Sequence, residues 1–184
     1  MARAWNWIPN ALTLVRIVLI LPFAMSLYHG DYRFALVVFL AAAITDGVDG
    51  FLARQFDWGS RLGAIADPLA DKALLITAYL MLTLTSVLPV WLFVLVLGRD
   101  LLIVLGGVAF HFLVGRFDMA PSIPGKLNTL VQILVILAIV MRLAGLPMHS
   151  WVLPWGIWLV AAMTLFSGIH YGVVWGLRAW KAVR

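Results

Sequence analysis

Cysteine and glutamate are both absent from this sequence, and charged residues make up only 11% of its 184 positions. Without cysteine there is no disulfide framework, no thiolate metal site and no cysteine nucleophile. With so few charges against 64% hydrophobic residues, and a mean hydropathy of +1.04, the chain carries more apolar surface than a water-soluble core of this size can hide, which excludes a soluble enzyme. Internal repeats and low-complexity tails are also missing, so an inverted-repeat transporter gains no support. No stretch is polar enough or long enough for a separate soluble domain, and residues 1–184 are expected to form one domain. All eight acids are aspartates, set against 13 Lys and Arg for a net charge of +5.

Apolar runs punctuated by Gly, Pro or charge fall at about 11–28, 33–53, 63–87, 89–114, 127–146 and 151–177. At ~20 residues per crossing this predicts an all-α polytopic membrane protein with six transmembrane helices. Arg16 interrupts the first run and no small-residue cleavage site follows it, so it reads as a retained span and not a signal peptide. Six spans put both termini on one side, together with Arg3, Arg54, Arg61, Arg116, Lys126, Arg178, Lys181 and Arg184, while Arg33 and Arg142 fall on the other. The positive-inside rule makes the first side cytoplasmic, in a cell inner (plasma) membrane. Trp5, Trp7, Trp58, Trp151, Trp155, Trp175 and Trp180 lie near span ends, as interfacial indoles do. The basic residues at 178–184 suit anionic lipid or simply follow the same rule, and no nucleic-acid partner is expected.

Ionisable groups inside apolar helices are costly and mark functional candidates. In the second run Asp46, Asp49, Gly50 and Ala53 recur at i, i+3, i+4 and i+7, with Arg54 beside them; in the third, Ser60, Gly63, Asp67 and Asp71 form a similar stripe. Two antiparallel neighbours could press these stripes together at the cytoplasmic end. Four carboxylates in one place require a compensating cation. An all-oxygen set argues for Mg²⁺ or Mn²⁺ over Zn²⁺, and four carboxylates suit two ions clamping a phosphate. The competing structural reading pairs these acids with Arg54, Arg61 and Lys72 for helix docking, which is an expensive use of four buried acids.

The segment Asp46-Gly47-Val48-Asp49-Gly50-Phe51-Leu52-Ala53-Arg54, continued by Gly63, Asp67 and Asp71, meets every fixed position of D-G-x-D-G-x-x-A-R-x8-G-x3-D-x3-D. This resembles the signature of the CDP-alcohol phosphatidyltransferases. The resemblance implies two Mg²⁺ or Mn²⁺ ions, with Asp46 and Asp67 touching both, Asp49 completing the first, and Asp71 bordering the second and acting as general base. It also implies CDP-lipid contacts at Gly50, Arg54, Ser60 and Gly63. Pro9, Asn10, Thr13 and Arg16 match the family's P-N-x-x-T-x-x-R segment, which makes Asn10 and Thr13 further nucleotide or phosphate contacts. For Arg16 two readings stand: snorkelling to headgroups, or pointing to the diphosphate. A homodimer is what the family leads one to expect.

Candidate acceptor contacts are Arg99 and Asp100 in the fourth run and Lys126 and Asn128 in the fifth. An intramembrane ion pair is the alternative for the first two, and a positive-inside anchor for Lys126. Phosphatidylglycerolphosphate synthases resemble this region but carry a second Arg where Gly107 stands and a second Lys where Asn128 stands. Glycerol 3-phosphate is a small dianion that benefits from such a cationic cradle, whereas phosphatidylglycerol is a monoanion held largely by its acyl chains. The run Lys126, Asn128, Thr129, Gln132 and the late His170-Tyr171-Gly172 resemble cardiolipin synthases of the CDP-dependent type. The expected reaction is phosphatidyl transfer from CDP-diacylglycerol to phosphatidylglycerol with release of CMP; glycerol 3-phosphate is the alternative acceptor. From a different class, an ion channel or metal transporter would also place acids in a helical bundle, but would distribute them along a path through the membrane.

Overall fold

The computed structural model describes the backbone of residues 8–56, 61–114 and 122–183, and within them the side chains of 11, 13–46, 48, 55, 69–107 and 122–174. Six helices follow in order: α1 (Ile8–His29), α2 (Tyr32–Phe56), α3 (Arg61–Leu84), α4 (Val90–Val114), α5 (Ile123–Leu143) and α6 (Val152–Val183). Each apolar run of the sequence falls on one of these helices. Among the described residues, three segments are long and apolar enough to cross a bilayer: Val90–Gly107, Ile123–Leu143 and Val152–Val174. Less than about a third of each is buried by protein. Leu14, Val18, Leu21, Val94, Val104, Leu105, Trp155 and Trp158 are among many large apolar side chains left exposed. This is the surface of a membrane protein, whose apolar exterior faces lipid.

Where helix limits differ from the apolar runs, three of them have a local reason. Helix α5 begins at Ile123 because Ser122 caps it: the Gly125 N–H donates to Ser122 Oγ at 3.2 Å. Gly125 and Lys126 therefore lie in its first turn and not ahead of it. Helix α3 stops at Leu84, where Ser86 takes a left-handed φ of 61° and the Val87 N–H donates to the Leu82 carbonyl at 2.8 Å. Helix α6 continues to Val183, since no proline or glycine follows Gly176 to end it.

The chain divides into two compact units. The first comprises residues 1–87 and 136–148, and in it α1 packs against both α2 and α3. The buried face of α1 is a single stripe: Thr13 and Arg16 at one end, Phe23, Ser26 and Leu27 at the other. Against it α2 sets Ala35, Val38, Phe39 and Ala42, with the Phe23 and Phe39 rings 5.5 Å apart; alanines at i and i+7 let the backbones come close. Helix α3 contributes Ala70, Leu74, Leu75, Ala78 and Leu82. The α1–α2 corner is closed by Gly30 at φ 77°, after which Asp31 caps α2 by accepting the Phe34 N–H at 3.2 Å.

The second unit comprises residues 88–135 and 149–184, with α4 packed on α6. Its buried residues include Leu92, Val96, Val160 and Ala161, but also Arg99, Asp100, Asn128, Gln132, Thr164 and Ser167. So many polar groups in a lipid-exposed bundle must satisfy one another, and that requirement organises the unit.

Candidate active site

In the first unit the buried stripe of α1 ends in a cation. Arg16 is 1% exposed and lies between two carboxylates: Nη2 is 3.0 Å from Asp46 Oδ1 on α2, and Nη1 donates to Asp71 Oδ1 on α3 at 2.6 Å. The planar guanidinium suits this, because its terminal nitrogens point to two acceptors at once. The side chains of Asp46 and Asp71 remain 48% and 45% exposed, so both carboxylates also face the outside. A buried arginine would be strongly unfavourable without such partners. Thr13, one turn earlier on the same stripe, is buried as well.

The structure thus brings together the two ends of the acidic signature, the first Asp of α2 and the last Asp of α3. Among the described residues the link between these two ends runs through α1 and Arg16. The backbone is helical through Asp46, Asp49, Gly50 and Arg54 and through Gly63, Asp67 and Asp71, which keeps the helical spacing of both stripes. The side chains of Asn10, Asp49, Arg54 and Asp67, the surroundings of Gly50 and Gly63, and all of Ser60 lie outside the described residues.

A hard divalent cation fits what is present. Two carboxylates from different helices converge on one positive charge, both are accessible, and all their donor atoms are oxygens. Among the described residues no third acidic or histidine side chain joins them.

The second unit holds the other candidates. Arg99 on α4 donates from Nη1 to Asp100 Oδ1 at 2.8 Å and from Nη2 to Ser167 Oγ on α6 at 2.6 Å. Its guanidinium carbon also lies 5.6 Å from the centre of the Tyr171 ring, a cation–π approach. The Tyr171 hydroxyl accepts the Ser122 N–H at 3.1 Å, which ties α6 to the start of α5. A Cβ at Gly125 would meet the Tyr171 hydroxyl at 2.9 Å and Arg99 Nη2 at 3.2 Å, so only glycine allows this closure.

One turn further along α5, Asn128 is fully buried. Its Oδ1 accepts the Thr164 hydroxyl at 3.1 Å, and Gln132 Nε2 donates to the same Thr164 Oγ1 at 3.3 Å. Asn128 Nδ2, Gln132 Oε1 and Arg99 Nε are buried with no hydrogen-bond partner among the described residues. Lys126 is exposed. Of the four acceptor candidates, then, Arg99 and Asp100 are directly paired, Asn128 belongs to a neutral polar cluster, and Lys126 is exposed. Thr164 and Ser167 had not been singled out. The signal was available: Thr164, Ser167, Gly168 and Tyr171 recur at i, i+3, i+4 and i+7, a small and polar stripe on an otherwise apolar helix.

Comparison with known proteins identifies the family. Residues 6–166 match the family described as CDP-alcohol phosphatidyltransferase. A probable phosphatidylglycerophosphate synthase of Mycobacterium tuberculosis is 37% identical over 155 residues, covering 80% of this chain and 71% of that protein. The CDP-diacylglycerol–glycerol-3-phosphate 3-phosphatidyltransferase of Aquifex aeolicus is 38% identical over 135 residues, with 72% and 74% covered. A cardiolipin synthase (CMP-forming) of Rattus norvegicus is 32% identical over 147 residues, covering 71% of this chain and 49% of that protein.

Proposed function

The chain belongs to the CDP-alcohol phosphatidyltransferase family, and from that premise we propose that it transfers the phosphatidyl group of CDP-diacylglycerol to a hydroxyl of phosphatidylglycerol, forming cardiolipin and CMP. Family membership decides against the channel or transporter reading. The observation that carries the proposal is the convergence of Asp46 and Asp71 on one guanidinium, at 3.0 and 2.6 Å.

In this reading Asp71 takes the proton of the acceptor hydroxyl on its half-exposed carboxylate. The acceptor oxygen then bonds to the phosphatidyl phosphorus, the bond from that phosphorus to the bridging oxygen breaks, and CMP departs with the electron pair. Asp46, Asp49, Asp67 and Asp71 would hold two divalent ions, Mg²⁺ or Mn²⁺. When bound, these supply positive charge to the transferring and leaving phosphates. Gly50, Arg54, Ser60, Gly63, Asn10 and Thr13 bind the CDP-lipid and hold it for in-line attack.

The acceptor is assigned from charge. Among the described side chains of the second unit, the only cations are Arg99 and Lys126. The Arg99 charge is already offset by Asp100, and Asn128 offers a neutral amide. Such a site suits a monoanionic headgroup carrying a glycerol hydroxyl better than a small dianion. Glycerol 3-phosphate remains the second reading, favoured by the 37% and 38% identities to proteins named for that product or acceptor.

The same reading places six spans in the inner (plasma) membrane, with the termini and acid cluster cytoplasmic, residues 1–184 as one catalytic domain, and a homodimer as the assembly. The distribution of Lys and Arg supports the orientation. Purified protein is incubated with CDP-diacylglycerol, Mg²⁺ or Mn²⁺, and either phosphatidylglycerol or glycerol 3-phosphate, and the lipid product is identified by mass. Cardiolipin is expected; exclusive formation of phosphatidylglycerolphosphate overturns the acceptor, and no CMP release with either acceptor overturns the reaction.

A further inference from the structure

Arg16 lies in a place where a lipid-facing or headgroup-seeking side chain would not be. It is almost wholly buried, yet its guanidinium reaches the half-exposed carboxylates of Asp46 and Asp71 on two different helices. By the family resemblance both of these acids, together with Asp67, border the second metal ion. A guanidinium and a divalent cation satisfy the same lone pairs, so they are competitors for this pair. With neither present, two carboxylates drawn this close would repel.

We propose that Arg16 is the built-in counter-cation of the acid cluster: it holds the Asp46 and Asp71 carboxylates together before metal binds, and competes with the second ion for them, so that it sets how tightly that ion is held. This rests on the metal-site reading above. Arg16 is on this view a positioning residue. It acts through the carboxylates and keeps α1, α2 and α3 in register while the site is empty of substrate and ion.

The sign of its effect follows from linkage. Arg16 occupies lone pairs of both carboxylates, and an ion that takes the same oxygens must loosen those contacts. It also places a positive charge beside a dication. Removing the charge raises the free energy of the metal-free protein and relieves repulsion in the loaded one, and both changes tighten metal binding. A purely structural arginine would instead loosen the site when removed.

The test is Mn²⁺ binding to the full-length protein in detergent, without substrate, followed by the loss of the free-ion electron paramagnetic resonance signal, alongside melting curves in EDTA and in saturating Mn²⁺. Relative to wild type, Arg16→Gln is expected to bind the weaker Mn²⁺ roughly tenfold more tightly, by the added repulsion removed, to melt lower in EDTA, and to gain more Tm from Mn²⁺. Arg16→Lys keeps the charge but cannot bridge both acids, and is expected to fall between the two. Should Arg16→Gln not fold in EDTA, its recovery when purified in Mn²⁺ supports the proposal, and failure in both conditions moves the test to Arg16→Lys. Unchanged or weaker Mn²⁺ binding in whichever variant is measured overturns it, as does a rise in KM for CDP-diacylglycerol with Mn²⁺ binding unaltered, which would make Arg16 a diphosphate contact. Asp46→Asn separates the two layers of argument. If wild type and Asp46→Asn bind Mn²⁺ alike, the metal site itself is wrong; if only Asp46→Asn loses Mn²⁺ while Arg16→Gln matches wild type, the metal site stands and the role of Arg16 falls.

Discussion

The Arg99 guanidinium carbon lies 5.6 Å from the centre of the Tyr171 ring, while its two terminal nitrogens are bonded to Asp100 and Ser167. Both terminal nitrogens and one approach to the guanidinium are therefore shaped by a neighbour, on its own helix or on α6. A planar, forked group is needed to meet all three, and lysine cannot replace it. Arg99→Lys is expected to raise the acceptor KM about tenfold, the loss of one charge-assisted hydrogen bond, with the KM for CDP-diacylglycerol unchanged. Steady-state kinetics with each substrate varied in turn decides this; an equal rise in both KM values would place Arg99 outside acceptor binding.

Gly125 offers a sharper probe of the same corner. A methyl group there would sit 2.9 Å from the Tyr171 hydroxyl and 3.2 Å from both Arg99 Nη2 and Ser122 Oγ. The tyrosine tip is held by the Ser122 N–H, so it can yield only by giving up that bond. Gly125→Ala is expected to lose about 1–3 kcal/mol from overpacking and the broken bond. The accompanying sign is selective: Tyr171→Phe, which removes the hydroxyl, should restore part of the lost Tm in the double variant. Additive losses in Gly125→Ala/Tyr171→Phe would contradict the contact.

The helices and the acidic signature were legible because they rest on local rules. Apolar run length locates a span, and aspartates three and four apart must share a helix face. The partner of those aspartates was less legible. Arg16 lies 30 residues before Asp46 and 55 before Asp71, and nothing in local periodicity joins it to either. Its burial depends on α1 packing against both α2 and α3, a tertiary fact. The apolar run locates the start of α5 a few residues late for a different reason. Gly125 and Lys126 read as punctuation on a hydropathy scale, but the Ser122 cap makes them the first helical turn. Likewise the α6 hydroxyls at 164 and 167 were present as a stripe, yet Ser and Thr are unremarkable singly in a membrane helix and gain meaning only opposite Asn128 and Arg99.

Burial also changes what the acceptor-switching substitutions would report. Gly107 and Asn128, the two positions where a more cationic site would carry Arg and Lys, are both buried. Asn128 in addition accepts the Thr164 hydroxyl at 3.1 Å. An ammonium at 128 would take that acceptor away and face Thr164 and Gln132 with no counter-charge. Asn128→Lys is expected to cost ~1–3 kcal/mol, the penalty for leaving buried polar groups without their partners. Detergent melting should therefore show a lower Tm before any change in acceptor preference is seen. A stable Asn128→Lys variant that gains turnover with glycerol 3-phosphate would show that the buried cluster can open, and would shift the acceptor assignment.

Asp71 must do two things that can be separated by chemistry. It anchors Arg16 at 2.6 Å, and in the proposed reaction it removes the acceptor proton. Asparagine keeps a carbonyl oxygen that can still accept from Arg16 but cannot take a proton at neutral pH. Asp71→Asn is thus expected to retain its fold and expression while kcat falls ~10²–10⁴-fold, the range for loss of a general base. The KM for CDP-diacylglycerol should change far less than kcat. Asp71→Ala, which removes both roles, should lower the Tm as well, because Arg16 then loses one of its two observed carboxylates. CMP release at saturating substrate and melting curves of the two variants measure these separately. Near-normal turnover in Asp71→Asn would remove Asp71 as the base, whereas equal Tm losses in both variants would mean that the neutral amide cannot hold Arg16 in place.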